Sequence, residues 1–126
     1  MSLPLPKEAM LTKSWQYQQV YRHGKRVWGK GITLIYCDND HGRDRLGLSV
    51  GGQRLAVSRN RIKRLLKEFY RQHRGLPSQV AKRPVDSPGV DLVVATNQAF
   101  QPRGLVDIQA TFSRIMGAPP PAVTLV

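Results

Sequence analysis

Ala56-Val57-Ser58-Arg59-Asn60-Arg61-Ile62-Lys63-Arg64-Leu65-Leu66-Lys67-Glu68-Phe69-Tyr70-Arg71-Gln72-His73-Arg74 reads as one amphipathic helix, and the rest of the chain has to be arranged around it. Ile62, Leu65, Leu66 and Phe69 fall at i, i+3, i+4 and i+7, so at about 100° per residue they share one apolar stripe that must pack on a second layer. Asn60, Lys63, Arg64, Lys67, Arg71 and Arg74 fall within an arc of roughly 100° on the opposite side, with Arg59 and Arg61 flanking it near the first turn. Glu68 is the sole acid in the run. Like charges four apart, such as Lys63 with Lys67 and Lys67 with Arg71, each oppose the helix by roughly 0.2–0.5 kcal/mol. A polyanion would neutralise the face: Lys and Arg displace counterions condensed on phosphates, and the Arg fork grips phosphate with two hydrogen bonds. The unpaired N–H groups of the first turn, which Ser58 or Val57 would open with Ser58 the better cap, also favour phosphate. The competing reading is a solvated charged surface, and the scarcity of acids weighs against it.

Composition widens the same point. Among 126 residues, 20 Lys and Arg stand against 8 Asp and Glu, a formal net charge of +12. That excess points to nucleic acid or an anionic membrane. No apolar run approaches the roughly 18 residues that a bilayer span needs, and the first residues, with Pro4, Pro6 and Glu8, lack a signal-peptide core. The expectation is a soluble, cytoplasmic protein without membrane attachment, with one domain over residues 1–117 and a Pro-rich flexible tail over 118–126. Cys37 is the single cysteine, so an internal disulfide is impossible, and it reads as a buried or half-buried small apolar residue.

Outside the basic helix the chain alternates helix and strand signals. Residues 1–10 read as an extended lead from which Leu3, Leu5 or Leu11 docks on the body. Thr12 and Ser14 both offer a cap for a helix that stops near His23-Gly24, where glycine would supply a left-handed residue. On that helix Tyr17 and Tyr21 share a face with Val20 beside them, and Trp15 lies round the side. Aromatics next to Arg22, Lys25, Arg26 and Lys30 suit stacking of single-stranded bases, but a Tyr pair at helical spacing is also ordinary core.

Val27 and Trp28 suggest a short strand before Gly29 and Gly31. Residues 32–37 and 45–50 are β-rich and read together as an antiparallel hairpin, joined by a polar turn. Asp38, Asp40 and Asp44 in that turn hint at a calcium loop, but the downstream bidentate Glu is missing and the glycine is misplaced. Gly51 and Gly52 allow a tight bend into the basic helix, without the Gly-Lys-Ser/Thr of a phosphate-binding loop. Residues 75–89, with Pro77, Pro84 and Pro88, read as a mobile surface loop. Residues 90–95 form a nearly continuous apolar run, the mark of a strand covered on both faces inside the sheet. Leu105, Ile108, Phe112 and Ile115 then space a final helix that ends at Gly117. The implied class is α+β, a two-layer α/β sandwich in the order α-β-β-β-α-β-α.

A self-contained nuclease needs clustered carboxylates or a His placed for proton transfer. The eight acids are scattered, His23, His41 and His73 show no ligand spacing, and no Ser or Cys nucleophile motif occurs. The chain therefore reads as one that binds rather than cuts, with no catalytic residue of its own.

These residues converge on a family. Residues 56–65, with Arg59-Asn60-Arg61 at their centre, resemble the Arg-Asn-Arg signature of the bacterial ribonuclease P protein subunit. The resemblance extends to Leu11-Thr12-Lys13 with the aromatic helix ending in His23-Gly24, to Arg45-Leu46-Gly47-Leu48-Ser49-Val50 and to Asp91-Leu92-Val93-Val94-Ala95, and so covers about residues 4–116 in the same order. It implies a ribosomal protein five domain-two-like sandwich with a left-handed crossover through the basic helix. It also implies a subunit that assists a catalytic RNA in removing the 5′ leader from precursor tRNA, with one protein per RNA and Mg²⁺ held mainly by that RNA. On this likeness Arg59, Asn60, Arg61, Lys63, Arg64 and Lys67 face the catalytic RNA, and Arg71 continues their surface. Tyr17 and Tyr21 would line a cleft for the leader, with Leu34 or Ile35 as its floor. The chain differs from the family pattern at Gly51-Gly52-Gln53, where two Lys and a Gly are common, at Met10, where Arg is usual, and in the longer 75–89 segment.

Overall fold

The computed structural model describes residues 6–39, 41–83 and 89–117. After a single 3-10 turn, Lys7–Ala9, the elements are α1 (Ser14–His23), β1 (Lys25–Gly29), β2 (Ile32–Asp38), β3 (Arg45–Val50), α2 (Ala56–Gln72), α3 (Leu76–Val80), β4 (Val90–Thr96) and α4 (Leu105–Met116). The expected order is present, with α3 added.

One sheet carries all four strands, in the spatial order β1-β2-β4-β3. β1 and β2 pair antiparallel, as do β2 and β4, whereas β3 runs parallel to β4. The expected hairpin between residues 32–37 and 45–50 does not form, because β4 lies between the two segments. β4 is the strand with almost no polar face: six of its seven residues are buried, and a strand of that kind loses least by taking the centre. The tight hairpin is instead β1–β2, closed through Gly31 at φ 73, a left-handed conformation that glycine adopts without steric cost.

The register assigns each side chain to a layer. Ile32, Leu34, Leu46, Leu92 and Val94 project to one face and meet Ile62, Leu66, Phe69 and Tyr70 of α2 and Ile108 and Phe112 of α4. At the centre the rings of Phe69 and Phe112 stack 5.1 Å apart. The apolar stripe read from the sequence is thus the buried one, with Tyr70 joining it and Leu65 only half-buried. α2 stops at Gln72 rather than Arg74, because the His73 ring turns back to bond the Phe69 carbonyl at 2.8 Å and stack on the Phe69 ring at 4.1 Å. It starts after Leu55, and neither Ser58 nor any other side chain caps it.

The 75–89 segment is not a surface loop throughout. Leu76, Pro77 and Val80 are buried, and Leu76 and Val80 join the main core. Asp44 fixes this turn of helix by accepting hydrogen bonds from the Ser78 amide and hydroxyl and from the Val90 amide. With Asp44 turned inward and Asp38 paired to Arg83, the polar turn uses these two acids as ties. Residues 84–88, the tail from 118, and Leu3 and Leu5 lie outside the described residues.

α1 crosses the other face of the sheet. Its start is held by the Gln16 side chain, which accepts from the Thr12 and Lys13 amides at 2.8 and 3.0 Å, instead of by Thr12 or Ser14. Gly24 ends it at φ −80, so glycine is not needed there for a left-handed turn. It is needed for closeness: a Cβ would sit 2.4 Å from the Val20 carbonyl and 2.8 Å from Ile35 Cγ2.

Candidate nucleic-acid interface

Two surfaces carry the chemistry anticipated for RNA. The first is the outer side of α2, where Asn60, Arg61, Arg64 and Lys67 are exposed and Arg59, Lys63 and Arg71 are half-exposed. The ion pairs among the described residues are Arg45–Asp91, Arg71–Glu68 and Arg83–Asp38. Among the described residues Arg71 is therefore the one cation of this surface that an acid of the protein neutralises. Its hydrogen bond holds the Glu68 carboxyl below the usual range, with Gln72 assisting.

The two arginines flanking the surface are tied to backbone. Arg59 donates to the Gln53 carbonyl at 3.4 Å. Arg61 donates to the carbonyls of Pro102 and Arg103 at 2.8 and 2.7 Å, stapling α2 to the segment that enters α4. Sequence periodicity placed Arg61 on the flank of the basic arc and the resemblance assigned it to the RNA-facing set; its guanidinium also builds the joint between two helices. Among the described residues Asn60, Lys63, Arg64 and Lys67 show no such bond, and the charges of Lys63, Arg64 and Lys67 lie in a field that like-charged neighbours reinforce.

The second surface is the sheet face under α1. Successive cross-strand rows on this side are Trp28–Thr33–Ala95–Ser49, then Arg26–Ile35–Val93–Gly47, then Cys37–Asp91–Arg45. α1 covers the last two rows: Val20 packs with Leu11, Ile35 and Val93, and Tyr17 and Tyr21 flank that cluster. Tyr17 lies directly on Gly47, where a Cβ would come within 2.7 Å of its ring. Its hydroxyl accepts from the Leu48 amide at 3.1 Å and donates to the Leu48 carbonyl at 3.4 Å, and burial pushes the phenol's pKa up. The two tyrosine rings stand 6.5 Å apart at 39° along the flank of α1 that overlooks the first row.

That row is the open part of the face, with Ser49 and Trp28 exposed and Thr33 and Ala95 half-exposed. Trp28, at 71% exposure, closes its β1 end. The result is a groove with an aromatic wall and a small-residue floor. Leu34 cannot belong to it: strand alternation turns it to the opposite face, where it is fully buried beneath α2 and α4. Ile35 is on the correct face but is buried beneath α1, so the accessible floor is Thr33 and Ala95, which the sequence reading missed. Row three is closed by Arg45, whose guanidinium meets Asp91 through two bonds of 2.8 Å, with Asn39 donating a third at 2.7 Å. Beside this pair, burial raises the Cys37 thiol's pKa, as does the charge of Asp91.

Among the described residues no three His, Cys, Asp or Glu side chains are grouped to hold a metal ion. No helix among them is long and apolar enough to cross a membrane.

The family model for ribonuclease P matches residues 5–118. The ribonuclease P protein component of Desulfotalea psychrophila is 39% identical over 116 residues, spanning 91% of this chain and 89% of that one. The component from Clostridium botulinum strain Langeland is 32% identical, spanning 87% and 93%. In three dimensions, an RNase P protein mutant from Staphylococcus aureus superposes with a TM-score of 0.69 over 88% of this chain and 87% of that one, at 24% identity. The Thermotoga maritima RNase P protein does so with 0.64 over 85% and 94%, at 19% identity. The last two likenesses speak for the fold and the first three for descent: the chain belongs to the ribonuclease P protein family.

Proposed function

We propose that this chain is the protein subunit of a ribonuclease P, working with a catalytic RNA in the endonucleolytic removal of the 5′ leader from precursor tRNA. Family membership supports the role, and the observation that carries its physical side is the outer face of α2, where Lys63, Arg64 and Lys67 have no ion pair among the described residues. That face docks on the catalytic RNA, with Arg59, Asn60 and Arg61 at its rim and Arg71 at its far end. The groove between α1 and the first sheet row holds the single-stranded leader, with Tyr17 and Tyr21 as its wall. Two hydrogen bonds to Leu48 and the bare Gly47 backbone beneath its ring hold Tyr17 in place, which supports this reading.

The protein raises substrate affinity, and the cleavage chemistry belongs to Mg²⁺ held mainly by the RNA. One protein serves one RNA, in the cytoplasm. Combining the protein with a family catalytic RNA and a precursor tRNA at low Mg²⁺ tests this reading: leader cleavage should rise well above the RNA alone. Binding to RNA with no gain in cleavage would leave only a structural RNA-binding protein.

A further inference from the structure

At its β1 end the groove carries an exposed aromatic that no other described residue covers. Val27 packs into the main core and Gly29 lies against Ile115 of α4, where a Cβ would be 2.6 Å from Ile115 Cδ1. Strand alternation therefore puts Arg26 and Trp28 on the α1 side. Arg26 is anchored there, its Nη2 donating to the Tyr21 carbonyl at 3.1 Å. Trp28 keeps most of its indole in solvent, with no stacked ring or overlying cation among the described residues. Trp15 is exposed too, but it projects from the side of α1 opposite Tyr17.

The surroundings of Trp28 select a polyanion over a protein surface. Arg26 shares this face and is exposed, as is Lys30 in the turn just after the strand. The one acid that the strands turn to this face, Asp91, is two rows away and paired with Arg45. From β3, where Tyr17 sits, to β1 is three strand spacings, roughly 14 Å, so Trp28 lies beyond the reach of a base stacked over Tyr17. An indole offers the largest stacking surface of any side chain, and base stacking tolerates every sequence.

We propose that Trp28 is an additional stacking platform for one leader nucleotide, lying past those that rest against Tyr17 and Tyr21. This inference rests on the groove being the leader site. Its test uses the assembled holoenzyme and precursor tRNAs whose leaders are shortened one nucleotide at a time. With the native protein, affinity should climb with leader length to a plateau. With Trp28→Ala the plateau should come at a shorter leader and lie roughly ten-fold lower in affinity, while the shortest leaders and mature tRNA bind as before; Trp28→Phe should restore most of the loss. In a Trp15→Phe background, Trp28 fluorescence should be quenched by leader-bearing tRNA and not by mature tRNA. If Trp28→Ala matches the native protein at every length while Tyr17→Ala weakens leader binding, the Trp28 platform is wrong and the groove stands. If neither variant responds to leader length, the groove assignment itself falls. Equal loss for mature and leader-bearing tRNA would place Trp28 against another part of the complex and also overturn the inference.

Discussion

The two faces of the sheet are built to opposite specifications. On the α2/α4 side the buried strand residues are apolar save Thr96 and the layer closes over aromatic rings; on the α1 side a single helix of ten residues covers two rows and leaves the Trp28–Thr33–Ala95–Ser49 row open. Burial on the first face supplies the stability that lets the second remain incomplete, since an open aromatic groove contributes little to folding and is available to a ligand. Substitutions should therefore separate by face, with stability lost on one side and leader recognition on the other.

The largest effect is expected for Phe112→Ala. Its ring is fully buried and stacked on Phe69, and such truncations cost about 3–5 kcal/mol, a large part of the stability of a domain this size. A urea titration should show the midpoint collapse, and a shift below about 1 kcal/mol would mean that the α4 face is not what secures the sheet. Gly47→Ala tests the other side. The new methyl would meet the Tyr17 ring at 2.7 Å and Leu11 Cδ1 at 2.9 Å, so overpacking of about 1–3 kcal/mol is expected. The preference for leader-bearing over mature tRNA should fall with it. Retention of that preference would show that the position of Tyr17 does not set leader binding.

Within α2 the contrast narrows to neighbouring arginines. Arg64→Ala should leave stability within about 0.5 kcal/mol. It should also lower the slope of log affinity for the catalytic RNA against log salt by about 0.7–0.9 for each phosphate that the side chain no longer neutralises. Arg61→Ala should lose stability as well, by about 1–2 kcal/mol, because the Pro102 and Arg103 carbonyls lose their shared donor. Identical melting of the two variants would remove the distinction between a docking cation and a structural one.

How much of this was legible follows from range. The basic helix, the apolar final helix and the central strand were readable because periodicity is local: Ile62, Leu66 and Phe69 declare a face whatever they pack on. Strand partners were not. Residues 45–50 are short and alternating, compatible with pairing to β2 or to β4, and only the competition for the interior position, which β4 wins with its two apolar faces, resolves it. The misplacement of Leu34 has the same origin, since either parity of β2 looks apolar until the layer above each face is known. α3 was hidden by its prolines, although Leu76 and Val80 at i and i+4 and a proline in the first turn were a usable helix signal. Trp28 was visible as an aromatic in a basic strand, but its side of the sheet depends on Val27 being the core residue.

A finer comparison between the faces uses two phenols. Tyr70, on the closed side, is almost fully buried and donates to the Asp44 carbonyl at 3.3 Å; burial pushes its pKa from 10.0 up to about 12, against the opposing influence of Arg74. Tyr17, on the open side, is raised in the same direction by burial, but its bond to the Leu48 backbone works against the shift. A phenol raised in the folded state holds its proton more tightly than in the unfolded chain. Its contribution to stability is thus complete below about pH 10 and disappears as the pH approaches about 12. Tyr70→Phe, which has no proton to lose, should melt with a shallower decline across that interval than the native protein. Tyr17→Phe should change the slope less, while losing the hydroxyl's bonds to Leu48 at every pH, about 1 kcal/mol. Parallel melting curves for the native protein and Tyr70→Phe would mean that the phenol is solvated in solution, and that the layer between α2 and the sheet is looser than the packing around Phe69 requires.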